Sequence, residues 1–292
     1  MAVRQRSATN LFTAAAAAGG GLAFAWASGS GAGMAGGLPV LLVCALAAYA
    51  INWIAFVPAA LFQRETFYDL TGAITYVSVV AIACLLSAPL DLRAGLAAGM
   101  VVIWALRLGA FLFLRIRAAG SDGRFDAIKR DPARFLVVWT VQGLWVVMTA
   151  GAALAVIAGP QRAGPDGWLV AGALVWLAGM VIEVVADAQK SAFRREPRNQ
   201  GRFITTGLWG WSQHPNYFGE IVLWAGLALI AVPVLSGWGW LVLVSPLFVW
   251  VLLTRISGIP LLVARAEARW GDDPAFRAYR ASTPLLVPRL RW

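Results

Sequence analysis

Apolar segments long enough to cross a lipid bilayer recur along most of this chain. A transmembrane helix needs about 20 consecutive apolar residues. Segments near or above that length lie at 38–62, 70–90, 94–114, 135–159, 168–188, 217–235 and 238–264. Apolar residues make up 60% of the 292 residues and charged residues only 13%, a balance outside the usual range of soluble domains. The sequence therefore predicts an all-α, polytopic membrane helix bundle with seven core transmembrane helices.

A further segment, 9–28, is a possible additional N-terminal helix. It is rich in Ala and Gly, is weakly hydrophobic, and follows Arg4 and Arg6. The same pattern is compatible with a signal-like segment, but we favour a retained helix. The chain then divides into an N-terminal segment at 1–37, a seven-helix membrane domain at 38–264 and a cytoplasmic interfacial tail at 265–292.

The formal net charge of +10 is interpreted as a topology signal, because cytoplasmic loops of membrane proteins carry an excess of Lys and Arg. With eight spans, almost all of the 24 Lys and Arg residues fall on the side of the N-terminus, whereas Arg93 and Arg162 fall on the other side. We therefore expect an integral protein of a bacterial inner membrane with both termini cytoplasmic. Neither a nucleic-acid partner nor an obligate protein partner is expected.

The chain has one histidine, His214, and two cysteines, Cys44 and Cys84. The cysteines lie in apolar segments without the spacing of metal ligands, and a single histidine excludes a multi-histidine centre. We therefore expect no metal site.

The first polar cluster stands where the second core segment begins. Glu65 and Asp69 are four residues apart, which places them on one helix face; Tyr68 lies beside them, and Tyr76 lies two turns deeper on the face of Asp69. Acidic residues at this position are typical of a helix N-terminal cap. Alternatively, Glu65 or Asp69 points into the bundle and handles a proton or a substrate oxygen.

Arginine within an apolar segment is a second candidate feature. Arg107 lies where an unpaired charge would cost several kcal/mol, so it should face the interior and have a partner. That partner belongs either to a functional site or to a structural ion pair. The basic stretch from Arg115 to Arg134 is either a positive-inside loop or a region that helps to hold an anionic ligand.

The richest polar stretch runs from residue 183 to residue 220. It begins with Glu183, Asp187, Lys190 and Arg194, whose spacings of 4, 3 and 4 place them on one helix face. Carboxylates at membrane depth are costly and usually functional. The stripe therefore predicts a polar path out of the membrane, with an internal salt-bridge ladder as the alternative.

A basic loop and a new helix start follow this stripe. The loop carries Arg194, Arg195, Arg198 and Arg202, and forked guanidinium groups suit phosphate. Pro215 suits a first helical turn, which leaves Asn216 and Glu220 on one face of the next helix, where they suit ribose or amide groups. The combination predicts a nucleotide site built without a Rossmann fold.

Four motifs in the C-terminal part of the chain form a pattern. They are Gly207-Leu208-Trp209, His214-Pro215-Asn216-Tyr217-Phe218-Gly219-Glu220, Ser257-Gly258-Ile259-Pro260 and the segment from Tyr279 to Pro288. The pattern resembles the steroid 5-alpha-reductase superfamily, in particular its bacterial branch of membrane proteins. Delta-14 sterol reductases and isoprenylcysteine carboxyl methyltransferases are similar over the His-Pro-Asn-Tyr region, so that region alone does not select a cofactor.

The resemblance implies an NADPH-dependent oxidoreductase that transfers hydride to the carbon–carbon double bond of a conjugated ketone in a steroid or other lipid. The cofactor contacts that it implies are Asp187, Arg194, Arg202, Asn216 and Glu220, to which we add Tyr217, His214, Arg107 and Arg115. The predicted catalytic residues are Glu65, Asp69 and Tyr68. Of these, Glu65 follows Gln63 and loosely matches the family's Gln-Glu pair for the substrate carbonyl.

The chain departs from the family's pattern at two catalytic positions. Aligned through Arg107, the family's catalytic Tyr falls on Trp104, whose indole cannot protonate a carbonyl oxygen. The family's last-helix His falls near Ser257 or Gly258. Two alternatives therefore stand beside the reductase: an S-adenosylmethionine-dependent membrane methyltransferase of the isoprenylcysteine type, and a non-catalytic lipid-binding protein. A hydrophobic lipid or steroid substrate and membrane lipid are the expected partners.

Overall fold

Helices dominate the structure, a computed structural model that describes residues 2–87 and 89–289. They are α1 (Ala2–Gly29), α2 (Val40–Phe62), α3 (Tyr68–Leu86), α4 (Leu92–Ala119), α5 (Pro132–Ala158), α6 (Gly167–Arg195), α7 (Pro215–Ala231), α8 (Ser245–Val251), α9 (Ile259–Trp270) and α10 (Pro274–Ser282). A two-stranded hairpin, β1 (Met34–Ala35) with β2 (Leu38–Pro39), joins α1 to α2. Within the described ranges, eight helical segments are long and apolar enough to cross a membrane. The predicted polytopic helical bundle is confirmed, and the N-terminal candidate forms an eighth such segment.

Unit 1 comprises the residues up to Leu169 together with Ile230–Ser245, and α5 is its central helix. It packs against α1, α2, α3, α4 and the short 3-10 helix Gly237–Val244. The second half of α5 is a run of Ala, Gly and small aliphatic residues that is buried from residue 149 to its end. Small side chains allow neighbouring helices to approach closely, and a helix that is apolar on all sides is suited to such a central place.

A buried arginine fixes one end of unit 1. Arg93, at the start of α4, is 1% exposed and forms an ion pair with Asp166 at 2.8 Å. Its guanidinium also donates hydrogen bonds to the carbonyl oxygens of Ala163, Gly164 and Ile230. The guanidinium nitrogens of Arg93 thus have acceptors, and such satisfied donors make a buried Arg tolerable. Arg93 therefore links three segments of unit 1.

In unit 2, which comprises Val170–Leu229 and the residues from Pro246 onward, α6 and α7 pack backbone against backbone. A Cβ atom at Gly219 would lie 2.7 Å from the amide nitrogen of Glu183 and 2.7 Å from the carbonyl oxygen of Gly179. Such distances leave no room for a side chain. The close approach places the acidic face of α6 beside the first turns of α7, where the predicted cofactor residues lie.

The final predicted span, 238–264, is not one continuous α-helix. A π-helical turn, Leu252–Ile256, separates α8 from α9. A Cβ atom at Gly258 would lie 2.5 Å from the carbonyl oxygen of Leu253 and 3.0 Å from Cε2 of Tyr217. The interruption therefore lets the ring of Tyr217 reach the backbone of the Ser-Gly-Ile-Pro motif, and π-turns within helices often mark functional sites.

Candidate functional site

The loop before α7 is fixed onto the end of α6 within unit 2. The indole nitrogen of Trp209 donates to the carbonyl oxygen of Ala186 at 2.9 Å, and the amide of Leu208 donates to Oε1 of Gln189 at 2.9 Å. The ammonium of Lys190 lies 4.1 Å from the centre of the Trp209 ring, a cation–π contact. These bonds place the Gly-Leu-Trp motif against the acidic stripe of α6.

Three carboxylates of unit 2 are buried near this junction. Glu183 is 2% exposed, and Asp187 and Glu220 are each 6% exposed. The side-chain amide of Asn216 donates a hydrogen bond to Oδ1 of Asp187 at 3.2 Å. The structure thus brings together one predicted cofactor residue from α6 and one from α7. Buried carboxylates are retained at such cost mainly where they bind or react.

His214 lies directly before α7 and is buried. Its backbone amide donates to the hydroxyl of Ser212 at 3.1 Å, and its ring stacks on that of Tyr217 with 5.6 Å between centroids. Among the described residues, no group bonds to its Nδ1 atom. Burial, followed by the nearby charges of Lys190 and Arg280, lowers the pKa of His214 to about 3. The imidazole is therefore neutral at physiological pH.

Acidification should destabilise the protein through His214. Its folded-state pKa of about 3 lies below the ordinary value of roughly 6.5, so between these values the unfolded chain binds a proton that the folded chain does not. The free energy of unfolding should fall as the pH is lowered through this window. Thermal unfolding in detergent at pH 7.5 and 5 measures the loss, which should be smaller in His214→Gln; equal losses in the two proteins would contradict the assignment.

The predicted phosphate-binding arginines occupy exposed positions. Arg194 ends α6 next to Arg195, and Arg202 lies in the loop that follows; both predicted residues are exposed. Arg107 and Arg115 belong to α4 of unit 1, where their guanidinium carbons lie 5.4 and 5.9 Å from the centre of the Phe111 ring. The cofactor set predicted from the sequence is therefore distributed over both units.

The C-terminal tail is hydrogen-bonded to the loop that carries the motif. The hydroxyl of Tyr279 donates to the carbonyl of Trp209 (2.7 Å), that of Ser212 to Leu286 (2.7 Å), and the side-chain amide of Gln213 to Thr283 (2.6 Å). Burial raises the pKa of Tyr279 to about 12, so this hydroxyl remains a donor at neutral pH. The tail and the loop before α7 form one hydrogen-bonded layer in unit 2.

The predicted catalytic residues at the start of α3 are engaged in ion pairs of unit 1. Glu65 is 2% exposed, binds the ammonium of Lys129 at 2.8 Å and accepts a hydrogen bond from the amide of Asp122 at 3.0 Å. Asp69 binds the guanidinium of Arg124 at 3.0 Å. Neither side chain caps α3, whose N-cap is Phe67 without a side-chain bond. Each carboxylate is thus paired with a cation of the protein, and a carboxylate in an ion pair accepts hydrogen bonds and does not donate them.

The basic stretch after α4 supplies the cations of these pairs. Although burial acts in the opposite direction, the hydrogen bond and charge of Arg124 lower the pKa of Asp122. The hydrogen bond to Glu65 raises the pKa of Lys129. Two of the cations expected for an anionic ligand are therefore neutralised by carboxylates of the protein.

Tyr68 lies between Glu65 and Asp69 in the sequence, but its side chain packs in an apolar environment. Its hydroxyl donates to the carbonyl oxygen of Val138 at 3.1 Å. Its ring packs against those of Phe125 and Trp139, with centroids 4.9 and 5.1 Å away. These contacts commit the hydroxyl proton to the backbone of α5.

A crevice in unit 1 opens between α3, α4 and α5. The space within it that a water-sized group can occupy is about 20 Å³, and the whole concavity, with the part open to the outside, is about 290 Å³. The lining residues that carry polar atoms are Asp69, Tyr76, Trp104 and Trp145. This space has room for one small group, since a single water molecule needs about 10–15 Å³ measured in this way.

A family model described as "protein of unknown function", DUF1295, matches residues 55–283. The chain belongs to the DUF1295 family. The match runs from the last third of α2 to the end of α10 and includes the loop before α7 and the residues that line the crevice. This family is steroid 5-alpha-reductase-like, so the resemblance seen in the sequence is confirmed at the level of the superfamily.

Two curated proteins are similar to parts of this DUF1295 chain. The 3-oxo-5-alpha-steroid 4-dehydrogenase 1 of Bos taurus is 32% identical over 130 residues, which cover 43% of this chain and 45% of the bovine protein. The probable O-methyltransferase ustE of Ustilaginoidea virens is 30% identical over 94 residues, 32% of each chain. The chain thus matches less than half the length of either relative. No solved structure matches it.

Sequence reasoning placed the segment from Tyr279 to Pro288 in the family's pattern without identifying its contacts, and it missed Gln189 as a support of the site. Gln189 lies two positions after Asp187, off the acidic face of α6. It accepts a hydrogen bond from the amide of Leu208 in the loop before α7, and helical spacing along α6 does not predict a contact with that loop. A polar side chain at the end of an apolar helix is the only available signal. The contacts of Tyr279 and Gln213 join positions about 70 residues apart, which a single sequence does not connect.

Proposed function

We propose that this membrane protein is an NADPH-dependent reductase of the carbon–carbon double bond of a conjugated ketone in a steroid or another lipid. The observation that carries the proposal is the hydrogen bond between Asn216 and Asp187, two residues that the resemblance assigns to the cofactor. The match to bovine 3-oxo-5-alpha-steroid 4-dehydrogenase 1 supports the class of reaction.

The residues of unit 2 fit the chemistry of NADPH. A buried carboxylate and amide, Asp187 and Asn216, suit hydroxyl and amide groups, because each buried polar atom requires a partner. Exposed guanidinium groups at Arg194 and Arg202 suit phosphate oxygens. Glu220, His214 and Tyr217 lie on the same first turns of α7 or directly before them, and the neutral imidazole offers an uncharged ring nitrogen.

When bound, NADPH supplies the hydride. The protein orients the cofactor through its buried polar groups. Asp187 accepts one N–H of Asn216, which leaves the second N–H and the amide oxygen of Asn216 for the cofactor. Lys190 is held against Trp209, so its charge stays beside the motif loop. On the substrate side, a donor near the carbonyl must stabilise the negative charge that develops on its oxygen.

Removing either member of the buried pair should weaken NADPH binding. A hydrogen bond to a charged group contributes about 1.5–3 kcal/mol, so Asp187→Ala and Asn216→Ala should each raise the dissociation constant about tenfold or more. Fluorescence titration of NADPH with the purified protein in detergent measures the change. Asp272→Ala, which removes an exposed carboxylate of the same unit, is the matched control. Wild-type affinity in both test variants, with unchanged melting temperatures, would exclude this site.

A methyltransferase is the second candidate, because the probable O-methyltransferase ustE matches part of the chain. The same titration separates the two. Binding of S-adenosylmethionine that depends on Asp187, without binding of NADPH, would favour methyl transfer. Binding of NADPH alone would favour reduction.

We also propose that the protein lies in a bacterial inner membrane with both termini in the cytoplasm. The uneven distribution of the 24 Lys and Arg residues supports this orientation. The cofactor residues at the ends of α6 and α7 would then face the compartment that contains NADPH. A hydrophobic lipid or steroid would reach the protein from the bilayer.

A further inference from the structure

A concave pocket in unit 2 lies between the tail and the loop before α7. Its volume is about 480 Å³, within the range of roughly 300–1,000 Å³ that is typical of ligand sites. Its described lining residues are Gln213, Glu267, Arg277, Arg280, Ala281, Thr283 and Leu285. The residues predicted to contact the cofactor are not among them, so the proposed function does not use this pocket.

Hydrogen bonds at both ends of α10 fix the walls of the pocket. The side-chain amide of Gln213 donates to the carbonyl oxygens of Arg280 and Thr283, at 3.2 and 2.6 Å. At the start of the helix, the side chain of Asp273 accepts a hydrogen bond from the amide of Ala275 at 2.8 Å. The polar side chains of α10 therefore project from a helix that is already held in place, which reduces the entropy cost of binding a ligand.

The charges of the pocket suit an anion that also carries hydroxyl groups. Arg277 and Arg280 lie three positions apart on α10 and share one helix face, and Arg280 forms an ion pair with Glu267. Among the described residues, the Arg277 side chain makes one hydrogen bond, to the carbonyl of Gly271 at 3.4 Å. Most of its five N–H donors therefore remain for phosphate oxygens. Glu267, whose side chain is 47% exposed, would repel a bare phosphate but can accept hydrogen bonds from hydroxyl groups.

The position of the pocket beside the start of α7 matches the depth of lipid headgroups. The candidate span Pro215–Val234 has 20 residues, which give about 30 Å of helix, the thickness of the hydrocarbon core. Gln213 precedes this span by two residues, which extend over at most about 7 Å, and each headgroup layer is roughly 5–8 Å thick. Trp211 is 38% exposed, and Trp is enriched at this interface. Leu285 and Val287 of the tail are 44% and 64% exposed, so they offer apolar surface to acyl chains.

We propose that this pocket binds an anionic phospholipid with a hydroxylated headgroup, with the phosphate against Arg277 and Arg280 and the hydroxyl groups towards Glu267. The positive charge favours an anionic lipid, the carboxylate favours a headgroup with hydroxyl groups, and the exposed Leu285 favours a lipid over a soluble phosphate. The site does not depend on the proposed reductase function. A bound lipid would tie the tail to the bilayer and so stabilise the loop before α7, to which the tail is hydrogen-bonded.

Titration of the purified protein in detergent with phosphatidylglycerol, followed by native mass spectrometry, tests the site. Arg277→Ala should raise the dissociation constant of this lipid about tenfold or more, because charge-assisted hydrogen bonds to the phosphate are lost. Arg198→Ala is the matched control, since it removes the same charge from an exposed residue of unit 2 outside the pocket, and its affinity should stay within about threefold of the wild type. Equal losses in the two variants would indicate attraction by net charge alone and overturn the proposal. Equal binding of the zwitterionic phosphatidylcholine by the wild type would overturn it as well.

Two further measurements identify the source of the phosphate. Glycerol 1-phosphate, the soluble headgroup, should bind at least tenfold more weakly than the lipid, because it lacks the acyl chains; equal affinities would make the occupant a soluble phosphate and overturn the lipid assignment. Arg277→Ala should keep the melting temperature of the lipid-free protein and the wild-type affinity for NADPH. A tenfold loss of NADPH affinity would assign the pocket to a phosphate of the cofactor and overturn the proposal. If the wild type binds no NADPH but binds phosphatidylglycerol through Arg277, the reductase function fails and the lipid site stands.

Discussion

Glu65→Ala should lower the free energy of unfolding by about 3 kcal/mol. The substitution removes the buried partner of Lys129 and the acceptor of the Asp122 amide. We place the effect at the lower end of the range for a broken buried pair, because the Lys129 side chain remains 20% exposed and can be partly solvated. The melting temperature of the cofactor-free protein in detergent, followed by tryptophan fluorescence, is the measurement.

The matched control is Glu196→Ala, which breaks an ion pair with Arg198 whose side chains are 44% and 80% exposed. Such exposed pairs contribute about 0–1 kcal/mol, so its melting temperature should stay close to that of the wild type. If Glu65→Ala left the melting temperature unchanged and abolished turnover, the catalytic role predicted from the sequence would be supported over the structural one.

Gly219→Ala should both destabilise unit 2 and weaken NADPH binding. The added Cβ would lie 2.7 Å from backbone atoms of Glu183 and Gly179, and neither is the mobile end of a side chain. Overpacking of this kind costs about 1–3 kcal/mol. The shift between α6 and α7 would also lengthen the contact of Asn216 with Asp187. Melting temperature and NADPH titration on one preparation measure both effects.

Gly95→Ala is the control for this substitution. Gly95 lies inside α4, and a Cβ atom there would meet nothing within 4 Å. Alanine favours a helix interior over glycine by roughly 0.5–1 kcal/mol, so this variant should be as stable as the wild type or slightly more stable. Equal behaviour of the two variants would contradict the backbone contact between α6 and α7.

The helices were predictable because apolar length is a local property of the sequence. The start of α7 at Pro215 also follows from local chemistry, since proline fits a first turn. The π-turn at Leu252–Ile256 was not predictable, because an apolar segment of uniform composition gives no signal for the change from one helical hydrogen-bond pattern to another. Because the Ala-rich α1 is only weakly hydrophobic, its composition predicted it only as a possible additional helix, and the structure contains it as an eighth segment long enough to cross a membrane.

The site was predictable to different extents in its two parts. The pairing of Asp187 with Asn216 agrees with the sequence analysis. Helical spacing placed Asp187 on the polar face of one helix and Asn216 on that of the next, and the resemblance selected both residues. The ion pair of Glu65 with Lys129 joins positions 64 apart, and no periodicity links them. The place of Tyr76 between two indoles of the crevice depends on the packing of three helices. Spacing along α3 placed Tyr76 on the face of Asp69 but did not identify its neighbours.

The hydrogen bonds between the tail and the loop before α7 can form only late in the synthesis of the protein. The acceptors at Thr283 and Leu286 are synthesised after every membrane-spanning segment described above. The loop before α7 therefore emerges about 70 residues earlier than the partners of Ser212 and Gln213. Insertion into the membrane can proceed during translation without them, whereas the end of unit 2 that carries the proposed NADPH site reaches its final form only after the tail has folded back.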